Sequence, residues 1–204
     1  MYKKYIKRIL DIVCALMVMP VVLPIIILCG LLIKLEDRGP VFYAGKRLGK
    51  NKTIFKMYKL RSMKVNAPDI RNEDGSTFSS YNDSRLTKVG GIIRKTSLDE
   101  LPQIINVLMG SMSFIGPRPD LPEALNHYNN EEIHKLNVRP GISGYSQAYY
   151  RNSISQTEKF KNDIFYVENL SLVLDIRIFL ATIINVFRRK NINIFVDERE
   201  ELRM

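Results

Sequence analysis

No charged side chain occurs from Ile12 through Ile33, a run long enough to enter a bilayer as a helix. Both flanks are basic: Lys3, Lys4, Lys7 and Arg8 precede the run, and Lys34, Arg38, Lys46 and Arg47 follow it. The positive-inside tendency draws both flanks to the cytoplasmic side, which a single crossing does not provide. Pro20 and Pro24 sit mid-run, and each lacks the backbone donor a helix interior needs. These features favour a re-entrant helix that bends near the prolines and returns to the face it entered. A cleaved secretory signal is set aside, because Leu31, Leu32, Ile33 and Lys34 offer no small-residue cleavage site.

A second apolar pattern lies near the other end. Between Leu170 and Arg189, Ser171, Asp175, Thr182, Asn185 and Arg189 fall on one narrow helical stripe, and apolar residues cover most of the rest. Such a helix packs in a protein core or lies along a membrane interface. Core packing is the simpler expectation from the pattern alone. Arg188, Arg189 and Lys190 suit anionic headgroups as well as the negative end of a helix.

Between these segments, residues 41–62 read as a β-hairpin that turns at Gly49, Lys50 and Asn51. A polar, turn-rich stretch covers 66–84, and a short helix is expected over 86–94. Leu101, Ile104, Ile105, Leu108 and Met109 have the spacing of a helix from 98 to about 109. A brief strand follows at Met112 to Ile115. Pro- and Gly-rich stretches at 116–122 and 140–144 flank a helical piece that carries Glu131, Glu132 and His134. A last short helix runs from Ser155 to Val167. The fold class is α+β and helix-rich. The division is 1–36 for the membrane helix, 37–190 for one globular domain that includes helix 170–189, and 191–204 for a charged tail.

Charge sharpens this picture. The chain has 204 residues and a formal net charge of +10. Residues 1–64 hold 14 Lys and Arg against 3 acids, leaving the remainder near neutrality. A basic front half implies an anionic partner: a membrane surface, a nucleic acid or a phosphorylated substrate. Cys14 and Cys29 lie in the apolar run about 22 Å apart on one straight helix, too far to bridge. No disulfide or zinc pattern is present, as expected of a cytoplasm-facing protein.

The most informative short segment is Arg94-Lys95-Thr96-Ser97-Leu98-Asp99-Glu100-Leu101-Pro102-Gln103. By spacing alone it is a capping box, with Ser97 as the cap, Glu100 completing it and Asp99 complementing the helix end. Pro102, late in the first turn, implies a distorted helix start. The same geometry also serves chemistry. A helix start holds a carboxylate ionised and attracts phosphate, and a neighbouring carboxylate helps to hold a divalent cation. In Gly116-Pro117-Arg118-Pro119, two prolines stiffen the backbone around an Arg, which suits phosphate binding as well as a plain turn. Arg139-Pro140-Gly141-Ile142-Ser143-Gly144 places two glycines where backbone can approach a ligand, although a turn is the simpler account. Tyr58-Lys59-Leu60-Arg61 fits a solvated edge strand or an anion contact. His127 and His134 lack metal-like partners and are expected to be structural or surface residues.

Taken in order, these segments resemble the small monotopic phosphoglycosyl transferases, also called bacterial sugar transferases, over roughly residues 1–190. Asn106-Val107-Leu108 and Gly110-Ser111-Met112-Ser113 complete the likeness. The resemblance implies a re-entrant helix bent at a proline matching Pro24, with Pro20 nearby, and interfacial amphipathic helices at the cytoplasmic face of the bacterial inner membrane. It implies an Asp-Glu dyad at Asp99 and Glu100, which would also hold Mg²⁺. Asp99 would attack the β-phosphate of a UDP-sugar, release UMP and pass the phosphosugar to polyprenol phosphate. Arg94 and Arg118 would bind phosphate, with Lys59, Arg61, Arg139 and Gln147 as further contacts. No nucleic-acid partner is implied. The chain departs from the family pattern at Leu23, where Ser is usual, and at Tyr145 and Tyr149-Tyr150, where Trp and a later Asn-Gly are favoured; Gln147 and Arg151 still match. The alternative from another class is a membrane-anchored anion-binding protein, which leaves the dyad unexplained.

Overall fold

The computed structural model describes residues 1–70, 83–150 and 153–188, with the side chains of 186–188 excepted. Asp74, Gly75, Ser79, Asn82, Arg151, Arg189, Lys190 and the 191–204 tail lie outside the described residues.

A widened helical turn, Tyr2–Ile6, leads into α1, Lys7–Asp37. Helix α1 runs continuously through Pro20 and Pro24. Each proline leaves the carbonyl four residues earlier, at Leu16 and Pro20, without its helical donor. The helix ends where Arg38 turns left-handed at φ 56°. Ala15, Val22, Ile26, Cys29 and Ile33 are buried along one side, whereas Leu16, Met17, Val21, Ile27, Leu28 and Leu31 are exposed.

Both ends of α1 are held by the same globular body. At the start, Lys7 pairs with Asp175 at 2.6 Å, and the Tyr2 hydroxyl donates to the same carboxylate. Arg8 donates to the Val107 and Leu108 carbonyls, while Asp11 accepts from Ser113 Oγ and the Phe114 amide. At the finish, Glu36 accepts from the Lys88 and Val89 amides, and Asp37 is gripped by Arg61.

The hairpin forms as the pattern predicts, from β1, Phe42–Leu48, and β2, Ile54–Leu60, antiparallel with Phe42 opposite Leu60 and Leu48 opposite Ile54. Its turn differs: a single helical turn at Lys50–Lys52 closes it, with Asn51 and Lys52 at positive φ. Helix α2, Lys88–Lys95, is capped by Thr87, whose hydroxyl accepts from the Gly90 amide. Helix α3 spans only Gln103–Met109 and ends at Gly110, φ 88°. Strands β3, Ser113–Ile115, and β4, Gly141–Ser143, pair in parallel. Helix α4, Tyr145–Tyr149, follows at once, and α5, Gln156–Glu168, starts with the Ser155–Glu158 capping box. The piece carrying Glu131, Glu132 and His134 is 3-10 in character, over Glu132–Asn137.

Two apolar clusters hold these elements together. One packs α1 against Met57, Leu60, Ile93, Ile104, Val107 and Met112; the other gathers Ile115, Val138, Ala148, Tyr166, Val167 and Ile178. Phe114 touches both.

Helix α6, Leu172–Arg188, is turned opposite to a core helix. Its polar stripe faces inward: Asp175 accepts from Tyr166 and Lys7, Thr182 meets Ser143 at 2.7 Å, and Asn185 donates to the Ala148 carbonyl. Its apolar face, with Val173, Ile176, Phe179, Leu180 and Ile184, is about half exposed. Core packing, the simpler expectation from the sequence, is therefore not adopted. Water penalises such a surface, and patches of this kind mark contact with a partner or a membrane.

Candidate active site

Helix α2 brings Arg94 and Lys95 to its last turn, after which the chain reverses at Ser97, φ 59°. The expected capping box does not form. Ser97 makes no side-chain cap, and Leu98–Glu100 is a single 3-10 turn separated by Leu101 and Pro102 from α3. Pro102 accounts for the break, as its ring crowds the preceding turn. The freed Glu100 carboxylate reaches across to β2 instead.

There it meets Lys59, whose Nζ lies 2.7 Å from Glu100 Oε1 and 3.8 Å from Asp99 Oδ2. Arg118 approaches the same Glu100 oxygen at 3.8 Å, its side chain more than half exposed. Asp99 is buried, while the Glu100 side chain keeps partial access to solvent.

These surroundings drive the two carboxylates apart. Burial pushes Asp99 up to about 6; Lys59 and Arg94 oppose the rise, and the Glu100 charge adds to it. Burial also works against the Glu100 anion, but Lys59, Arg118, the Lys59 hydrogen bond and Arg94 together outweigh it and hold Glu100 at about 2. Adjacent carboxylates tuned to different values divide roles: one is a permanent anion, and the other is a more basic and hence more nucleophilic oxygen.

Lys59 owes its place to Asn106, a fully buried residue to which the sequence assigned no role. Asn106 Oδ1 accepts from the Tyr58 amide at 2.9 Å and its Nδ2 donates to the Lys56 carbonyl at 2.8 Å, riveting α3 to β2. An amide between two strand residues supplies one donor and one acceptor, which a pure acid or base does not.

Arg118 sits on a loop held from three sides. The Gly116 amide donates to Ser143, the Gly141 amide to Pro117, and the Leu48 amide to Asp120. A Cβ on Gly141 would stand 2.1 Å from the Gly116 nitrogen, and one on Gly144 would stand 2.3 Å from the Gly116 oxygen. The glycines of the 139–144 segment thus admit neighbouring backbone. Below the loop, buried Lys135 pairs with Asp120 and Asp163, each at 2.6 Å, and Tyr128 donates to Asp120 at 2.5 Å. This cluster had no signal in the sequence beyond Asp120 lying two residues past Arg118.

Other expected contacts are engaged elsewhere. Arg61 is buried and commits its guanidinium to Asp37 and to the Pro40 and Met63 carbonyls. Arg139 donates its Nε to the Gly110 carbonyl, at the opposite end of α3 from the dyad. Gln147 folds against Gly144, with both its amide nitrogen and oxygen buried and lacking a hydrogen-bond partner among the described residues. Among the described residues, no three His, Cys, Asp or Glu side chains cluster as a metal-binding group. Asp99 and Glu100 supply two carboxylates with an ammonium beside them. That donor set fits a cation completed by substrate phosphates and water, the usual habit of Mg²⁺.

The chain matches the family described as bacterial sugar transferase over residues 2–189. It is 40% identical over 185 residues to a UDP-N-acetylgalactosamine-undecaprenyl-phosphate N-acetylgalactosaminephosphotransferase of Aeromonas hydrophila, covering 88% of this chain and 43% of that protein. It is 37% identical over 197 residues to an undecaprenyl-phosphate galactose phosphotransferase of Salmonella typhimurium, covering 91% and 41%. Similarity to the exopolysaccharide production protein ExoY of Rhizobium meliloti, 37% over 189 residues, covers 87% and 83%. The chain thus spans less than half the length of the first two. A match over nearly all of this chain, with the Asp-Glu pair, Lys59 and Arg118 gathered at one place, leads to one conclusion: this protein belongs to the bacterial sugar transferase family.

Proposed function

We propose that this protein transfers a sugar 1-phosphate from a UDP-sugar to polyprenol phosphate at the cytoplasmic face of the bacterial inner membrane. The observation that carries the proposal is the convergence of Lys59, Arg94 and Arg118 on a buried Asp99 and an anionic Glu100. An Asp99 oxygen attacks the β-phosphorus as the bond from that phosphorus to the oxygen bridging the α-phosphate breaks, and UMP leaves with the bridging oxygen. An oxygen of polyprenol phosphate then attacks the same phosphorus, Asp99 departs as carboxylate, and polyprenol diphosphosugar forms. Arg118, on its stiff loop, holds the diphosphate and steadies the charge that develops on it. Lys59 keeps Glu100 anionic. Mg²⁺, held by Asp99 and Glu100 with the donor diphosphate, would offset the repulsion between carboxylate and phosphate.

The membrane arrangement has independent support. A straight helix of the length of α1 extends about 46 Å and would deliver its ends to opposite sides of a hydrocarbon layer roughly 30 Å thick. Yet one body grips both ends. A helix bent at Pro20 and Pro24, dipping into one leaflet, meets both conditions. Ile92 and Met109, on the helices flanking the dyad, are exposed, as is the outward apolar face of α6, consistent with a site at the lipid surface.

The test supplies UDP-sugars, polyprenol phosphate and Mg²⁺ and measures UMP. Release is expected to vanish with EDTA and in Asp99→Asn; normal turnover in that variant would end the covalent proposal. Tags at the two termini should be equally accessible from the cytoplasm.

A further inference from the structure

At the far end of α3 from the dyad, a shallow open cleft lies where α1 begins. Lys3, Lys7, Arg8, Lys50 and Arg139 line it, with Asp11 as the acid among them. Lys7 is neutralised by Asp175. The other four cations form no salt bridge among the described residues, Asp11 acting on Arg8 only through space: Arg8 is bonded to the Val107 and Leu108 carbonyls, Arg139 to Gly110 and Lys3 to Val167, all uncharged acceptors. Among the described residues Arg139 is anchored through Nε, which leaves its terminal guanidinium nitrogens as a fork that matches two oxygens of one phosphate. Cations gathered around one concavity repel one another, as Arg139 does Arg8, and an anion placed between them relieves that cost.

We infer that this cleft is a second phosphate site, occupied by the headgroup of an anionic phospholipid. The source follows from position. Lys3, Lys7 and Arg8 immediately precede the apolar length of α1, so in the membrane arrangement proposed above, on which this inference rests, they lie at headgroup depth. Val138 and Leu170 form an apolar wall of the cleft, and Leu170 leads into α6 with its outward apolar face. The seven-residue α3 alone separates cleft and dyad by roughly 10 Å, so a phosphate here does not reach Asp99.

The experiment takes the full chain in a neutral detergent, offers phosphatidylglycerol, phosphatidylcholine or inorganic phosphate, and counts bound species by native mass spectrometry. Wild-type protein should retain one phosphatidylglycerol in preference to phosphatidylcholine. Lys50→Gln/Arg139→Gln should lower that preference roughly tenfold, while Lys52→Gln/Lys56→Gln, an equal charge removal on the exposed hairpin, should leave it intact. Because Arg139 also supports Gly110, the exposed Lys50→Glu serves as a second variant and should act in the same direction without disturbing the fold. Equal losses in both double variants would reduce the effect to net charge and overturn the site. Inorganic phosphate retained with no preference among lipids would assign the cleft to a soluble anion and overturn the lipid. UMP release is not the readout, so failure here leaves the catalytic proposal to its own test.

Discussion

The Lys59 ammonium is bonded to Glu100 at 2.7 Å and stands 3.8 Å from Asp99, so one cation on β2 serves two adjacent carboxylates unequally. Glu100 receives the contact and stays an anion. Asp99 receives burial, which makes its oxygen more basic. The division arises because Pro102 prevents a regular helix start and turns Glu100 away from Ser97.

That burial has a measurable cost. With Asp99 at about 6 in the fold against an ordinary 3.8, the folded state holds more protons than the unfolded chain between those values. Stability therefore falls as pH rises through this window, and the full penalty is present above it. In EDTA at neutral pH, Asp99→Asn should be more stable than wild type by about 1–3 kcal/mol. The difference should close near pH 4. Denaturation measured at both pH values checks it, and a less stable variant would contradict the buried placement.

Asn106 is predicted to couple stability to activity. Asn106→Ala removes the bonds to Tyr58 and Lys56 and leaves a buried amide and carbonyl unsatisfied, a loss of about 2–4 kcal/mol. Lys59 then loses its fixed approach to Glu100, so the residual activity of the folded fraction should fall as well. Thermal unfolding together with UMP release separates the two effects.

Adjacent glycines in α2 should respond oppositely to one methyl group. A Cβ on Gly90 would stand 2.0 Å from the Ser62 carbonyl oxygen, while one on Gly91 meets nothing within 4 Å. Gly91→Ala should stabilise by up to about 1 kcal/mol through helix propensity alone. Gly90→Ala must move backbone and should destabilise by about 2 kcal/mol or more. Paired melting curves decide.

Lys135→Met should destabilise by about 3–5 kcal/mol, since it abandons the buried Asp120 and Asp163 carboxylates. Adding Asp163→Asn should recover part of the loss. Tyr128→Phe, which removes one hydrogen bond to Asp120, should fold and raise KM for the nucleotide sugar through the adjoining Arg118 loop. An unchanged KM would separate that cluster from the site.

The elements were legible where one local rule decided them. The hairpin, α2, β3 and α5 follow from alternation and helical periodicity. Asp99, Glu100, Lys59 and Arg118 were also named from the chain, and the fold brings them together. The capping box at Ser97 failed because two local signals, Ser-x-x-Glu and Pro102, compete over the same turn. Arg61 read as a free phosphate donor until folding supplied Asp37 and the Pro40 and Met63 carbonyls.

The sequence by itself determined which segments are apolar, which are basic and where the carboxylate pair lies, because hydropathy, charge and chain order are local properties. Only the tertiary structure decided that α6 turns its apolar face outward and that one body grips both ends of α1. It also decided that the two carboxylates differ in basicity. Each of these depends on which distant residue arrives as a neighbour: Asp175 beside Lys7, Arg61 beside Asp37, Lys59 beside Glu100. Burial and Coulomb energy act through space, and a side chain's partner is fixed only when the chain has closed around it.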